Sequence, residues 1–181
     1  MIFFTDIDDT LMKTKRKIQF QNNCIIGAFS ESGDVLSLIS PERSCLIDLI
    51  SNYKVIPVTA RSKDALSRVQ LSFNAEKIIN FGATILDENN EVNLTWKDLI
   101  LKNQFDLNVL SSYKIIKQEL ILPDNFKLIE RFDDEILVFL NYRNENISLS
   151  ENITTKLKIE EFLIQHNLPF YIYMTDRDLT L

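Results

Sequence analysis

Ile2 to Thr5 is a short apolar run of aromatic and β-branched residues followed by acids, a pattern that fits a strand buried in a parallel sheet better than a half-exposed one. Its C-terminal end delivers Asp6. From Lys17 to Ile39, short apolar runs are interrupted by the turn residues Ser32-Gly33-Asp34, which predicts a hairpin-like flap. Ser40-Pro41-Glu42 supplies an N-cap, a proline at the first helical position and an early acid. Leu46, Ile47, Leu49 and Ile50 follow at helical spacing, so a helix is expected to end near Asn52. Lys54 to Val58 reads as a second apolar strand. Ser62 to Phe73 reads as a second helix with Ala65, Leu66, Val69 and Phe73 on one face. Ile78 to Asn80 is expected as a third short strand, after which Gly82-Ala83 turns the chain into Thr84 to Leu86. Strand, loop, helix, strand, helix is the cadence of a doubly wound α/β core.

Beyond about Glu88 the pattern changes. Trp96 to Leu122 is helix-rich, Phe126 to Phe132 and Glu135 to Tyr142 alternate as a strand pair around Asp133-Asp134, Glu151 to His166 is an amphipathic helix and Phe170 to Thr175 a strand. This succession describes a small α+β unit. The expected organisation is the first half of an α/β core over residues 1–88, an α+β unit over 89–175 and the start of a return to the core over 176–181, with the boundary between Asp87 and Val92.

With 45% hydrophobic residues, the 181-residue chain has enough apolar material for a buried core. Only 3 Gly and 4 Pro argue against flexible linkers and low-complexity tails, and no internal repeat is visible. A net charge of −6 disfavours binding to nucleic acid, and the basic run Lys13 to Lys17 is too short to reverse that. The start, Met1 to Asp6, has neither the basic lead nor the apolar stretch of a secretory signal, and no segment reaches the apolar length of a membrane helix. Cys24 and Cys45 match neither a zinc nor a redox spacing, so reduced, buried thiols in a cytoplasmic protein are expected.

The chemistry concentrates at two strand ends. Asp6-Ile7-Asp8-Asp9-Thr10 follows the first strand directly, where open α/β sheets bind ligands. Two carboxylates two residues apart, Asp6 and Asp8, can converge on one Mg²⁺, leaving one oxygen to attack phosphorus and one group to move a proton. The plainer reading is a solvated turn or helix cap. Thr59-Ala60-Arg61-Ser62 ends the second strand and opens the second helix, a place suited to phosphate through backbone N–H groups, the Thr59 hydroxyl and the Arg61 guanidinium. Here the plainer reading is that Thr59 or Ser62 caps the helix while Arg61 lies on the surface. His166 has no companion for a metal site. Trp96 reads as packing, and Phe132-Asp133-Asp134-Glu135 as a polar hairpin turn or a substrate-reading loop.

Together these segments resemble the haloacid dehalogenase superfamily of phosphatases. Asp6-Ile7-Asp8-Asp9-Thr10 matches its first motif, Asp-x-Asp-x-Thr, and Thr59 its second. Val58-Thr59-Ala60-Arg61 and Asn80-Phe81-Gly82-Ala83 are similar to the sucrose-phosphate phosphatase branch, which inserts an α+β cap after the third strand; Phe81 departs from the Asn found in many relatives. The resemblance implies a Rossmann-like core with a cap, Asp6 as nucleophile and metal ligand, Asp8 as general acid/base with its backbone carbonyl on Mg²⁺, and Thr59 as phosphate ligand. The substrate class it implies is a small sugar phosphate or related metabolite. The family's third motif, a Lys after the cap, and its fourth, a Gly-Asp pair with a further Asp, have no match; Asp176-Arg177-Asp178 lacks the strand and Gly, and Lys114 and Lys117 fall in the cap. The core is thus expected to be incomplete, with Ile2 to Thr5 as an apolar edge strand that a second chain or a second copy covers. A fragment, a complemented half and an inactive relative that only binds phosphate ligands or partners all fit that expectation.

Overall fold

A computed structural model describes every residue except 19–22, 145, 147, 171 and 175–177. The chain divides into two compact units, residues 1–97 and 98–181. The first contains β1 (Ile2–Thr5), β2 (Lys13–Thr14), β3 (Ile25–Phe29), β4 (Val35–Ile39), α1 (Pro41–Ile50), β5 (Lys54–Pro57), α2 (Lys63–Ser67), β6 (Lys77–Ile79) and β7 (Thr84–Leu86). α3 (Leu94–Asp106) crosses the boundary, and α4 (Val109–Glu119), β8 (Phe126–Asp133), β9 (Ile136–Asn144), α5 (Leu149–Gln165), β10 (Tyr173–Met174) and β11 (Asp178–Thr180) complete the second.

In the first unit β1 and β5 run parallel, with Phe3 opposite Val55 and Thr5 opposite Pro57. A parallel bridge between Val58 and Ile78 extends this sheet to β6, which turns back antiparallel as β7. The flap is the antiparallel sheet β2-β4-β3, closed by a turn in which Gly33 takes φ +84°; residues 19–22 of the predicted flap lie outside the described residues. Ile7, Met12, Ala28, Ile39, Leu66, Val69, Ile79 and Leu86 form the core. Gly27 lets β3 approach it, since a Cβ there would meet Met12 Sδ at 3.0 Å and Ile39 Cγ1 at 3.2 Å.

Two elements differ from the sequence pattern. Ser40 precedes α1 as expected, but its hydroxyl donates to Glu42 Oε2 at 2.6 Å instead of capping. The second helix stops after Ser67, well short of Phe73. The reason is competition for the backbone: Phe29 N–H donates to Arg68 O, Gln70 N–H donates to Gly27 O, and Val69 bridges Ala28, so residues 68–70 are captured by β3. Val69 still reaches the core, which is why its apolar spacing looked helical.

The second unit is a four-stranded antiparallel sheet ordered β10-β11-β9-β8. Ile116 from α4, Leu140 from β9, Ile159 from α5 and Leu179 from β11 are fully buried, each contributing about 1.5–3 kcal/mol. The predicted helix-rich stretch breaks at Asn108, left-handed at φ 53°, into α3 and α4. Buried Asn144 donates to Asn152 Oδ1 at 2.9 Å, tying β9 to α5. Residues 178–180 were expected to begin a return to the core; instead Leu179 pairs with Tyr142 of β9, because its side chain fills the second unit's own core. Asp176 and Arg177 lie outside the described residues. Cys24 and Cys45 form no disulfide, and Cys45 is exposed, contrary to the expected burial. Among the described residues no helix is long and apolar enough to cross a membrane.

Burial raises the Tyr142 phenol from its ordinary 10.0 to about 12. The unfolded chain therefore loses this proton first as pH rises, and folding stability is expected to fall from about pH 10 upward. Thermal unfolding followed by circular dichroism to about pH 12 checks this; Tyr142→Phe is expected to flatten the alkaline loss, and an equal loss in both proteins refutes the assignment.

Candidate active site

Asp6 and Asp8 are exposed on either side of buried Ile7. Ile7 is pinned by its carbonyl, which accepts from Leu11 N–H at 3.0 Å and Met12 N–H at 3.1 Å. This anchors the loop while turning alternate residues outward. Asp6 leaves the end of β1, and its Oδ2 accepts from Thr10 Oγ1 at 3.5 Å. Asp9 is left-handed at φ 62°, its carboxylate meets Lys17 Nζ at 2.6 Å and its carbonyl accepts from Arg43 at 2.6 Å. The Lys17 ammonium holds the Asp9 carboxyl below its usual range.

Thr59 lies just past the end of β5. Val58 N–H donates to Thr5 O at 2.8 Å and Thr59 N–H to Ile78 O at 2.9 Å, so the acidic turn and the hydroxyl-bearing turn leave one end of the same parallel sheet. Thr59 is 4% exposed, and its Oγ1 accepts from Arg61 N–H at 3.2 Å. Ala60 between them is exposed. Ser62 is the helix cap, accepting from Ala65 N–H at 3.1 Å. At five residues α2 is a weaker source of dipole for an anion than the predicted helix.

Arg61 is placed differently from the expected surface or phosphate-facing side chain. Its Nε and one terminal nitrogen donate to the two oxygens of Asp8, both at 2.8 Å, and the other terminal nitrogen donates to Ala65 O at 3.2 Å. Bidentate guanidinium–carboxylate geometry is strong and orienting. The Asp8 carboxylate is thus engaged by Arg61 through both of its oxygens. Sequence reasoning had each partner at the rim but not their mutual bond, and it missed Arg43 on the Asp9 carbonyl, for which local spacing carries no signal. Beside Thr59, Asn80, Phe81 and Gly82 take φ 51°, 57° and 90° in succession. Phe81 N–H donates to Thr59 O and Asn80 N–H to Arg61 O, so this left-handed turn braces the Thr59 loop.

Mg²⁺ fits this donor set in part. The Asp6 carboxylate and the Asp8 backbone carbonyl are oxygen donors of the kind Mg²⁺ accepts alongside waters and substrate phosphate. The Asp8 carboxylate is already engaged, and among the described residues no group of three or more His, Cys, Asp or Glu side chains is placed to hold a metal.

No family model matches the sequence, and no curated protein matches it. Solved structures similar to this chain include two phosphatase-related ones. One of these is the C. albicans trehalose-6-phosphate phosphatase C-terminal domain, with a TM-score of 0.56 at 14% identity over 99% of this chain and 55% of that one. Another is a trehalose-6-phosphate phosphatase related protein, with a TM-score of 0.49 at 17% identity over 100% of this chain and 68% of that one. The chain thus spans little more than half the length of the C. albicans domain.

Proposed function

We propose that the chain is a cytoplasmic Mg²⁺-dependent phosphomonoesterase acting on a small sugar phosphate or related metabolite through an aspartyl phosphate on Asp6. The observation that carries this reading is the exposed Asp6 carboxylate at the end of β1, beside Thr59 at the end of the neighbouring parallel strand. Thr59, Ala60 and Arg61 hold the phosphate. Asp6 attacks phosphorus as the bond to the leaving alkoxide breaks, Asp8 gives that oxygen its proton, and a water that Asp8 deprotonates then attacks phosphorus to release phosphate and restore Asp6. Mg²⁺, when bound, neutralises phosphate charge that would otherwise repel the anionic nucleophile. The C. albicans trehalose-6-phosphate phosphatase C-terminal domain adds support at the level of the fold.

A second reading, a non-catalytic module that binds phosphate ligands or partners, is favoured by the closed Asp8–Arg61 pair. The edge of β1 that has no neighbour strand among the described residues supports a covering second chain or copy under either reading. Purified chain assayed with a generic phosphate monoester and with trehalose 6-phosphate, with and without Mg²⁺, separates the two. Metal-dependent phosphate release is the expected result, and silence with both substrates favours the module.

A further inference from the structure

Lys77 opens β6, at the end of that strand away from the Asn80 turn, and is only 4% exposed. A buried ammonium ordinarily has a carboxylate partner. Lys77 makes no ion pair with any described carboxylate, although Asp87, Glu88 and Glu76 favour its charge at longer range. Glu76 and Glu88 pair with Lys54, and the Asp87 carboxylate accepts from Asn89 N–H and Glu91 N–H, both at 2.8 Å. Its Nζ instead donates to the backbone carbonyls of Asp87 and Glu88, both at a long 3.3 Å, leaving a third donor for another acceptor. Burial pushes its pKa below the ordinary lysine value. The same residue lines a cavity of about 400 Å³, with Lys63, Ser67 and Ser72 among its polar walls and Phe73 and Leu86 among its apolar ones.

We propose that this cavity binds a small amphiphilic anion, its carboxylate or phosphate head on Lys77 and its apolar part against Phe73 and Leu86. A negative head supplies the missing partner of the ammonium, and Lys63 adds a second cation. The site is independent of the Asp6 chemistry.

Titrating the full chain with hexanoate and with inorganic phosphate, followed by amide shifts in NMR, tests the assignment. Saturable shifts at Ser72, Lys77 and Leu86 are expected for at least one probe. Hexanoate alone marks a carboxylate ligand with an apolar tail, and phosphate alone marks a phosphate head. Lys77→Met keeps the apolar stem and is expected to weaken binding about tenfold or more. Should that variant fail to fold, the exposed Lys63→Gln is expected to weaken binding about threefold. Neither probe shifting these amides, shifts confined to residues 59–61, or undiminished binding in the folded variants overturns the proposal.

Discussion

Asp6→Asn is expected to abolish phosphate release while leaving the fold intact. The loss is on the order of 10⁴-fold or more in kcat, the scale on which enzymes lose rate when a covalent nucleophile is removed. Stability is expected to change by less than about 0.5 kcal/mol, as for other surface substitutions, because Asp6 is exposed and its bond from Thr10 is a long 3.5 Å. Asparagine keeps an acceptor oxygen there but cannot attack phosphorus as a carboxylate does. Steady-state hydrolysis and thermal unfolding on the same preparation check both halves. Residual turnover above about one part in a hundred, in a folded variant, sinks the nucleophile assignment.

Arg61→Ala carries the second large effect. If Arg61 chiefly orients Asp8, truncation lowers kcat by about 10²-fold, the lower range for a misplaced general acid–base group. Arg61→Lys is not expected to rescue it, since an ammonium cannot reproduce two parallel bonds at 2.8 Å. A rise in KM at constant kcat would instead make Arg61 a phosphate ligand first. Separate determination of kcat and KM decides between these roles.

Much of the fold was legible because its signals are local. Apolar β1 and β5, Pro41 at the head of α1 and the turn at Gly33 lie within one or two residues of where the pattern puts them, but β1 is half-exposed where a buried strand was expected, because among the described residues it has a neighbour strand on one side only. The misses share a cause in long-range competition. Residues 68–70 have helical spacing, yet their backbone bonds go to β3, and Leu179 follows the second unit's core despite acidic neighbours. At the candidate site, Asp6 and Thr59 were readable because each ends an apolar run. The Asp8–Arg61 bond was not, since it joins residues 53 positions apart and depends on how two turns face each other.

β1 carries the proposed nucleophile but has a hydrogen-bonded neighbour strand on one side only, β5, among the described residues. Ile2 and Phe4, on its open face, are 56% and 65% exposed. Little free energy is then expected to separate the closed strand from a frayed one, and its amide protons are expected to exchange with solvent ahead of those in β5. The proposed nucleophile is mounted on an outer beam of the sheet, so whatever clamps that beam is expected to set how sharply Asp6 is aimed.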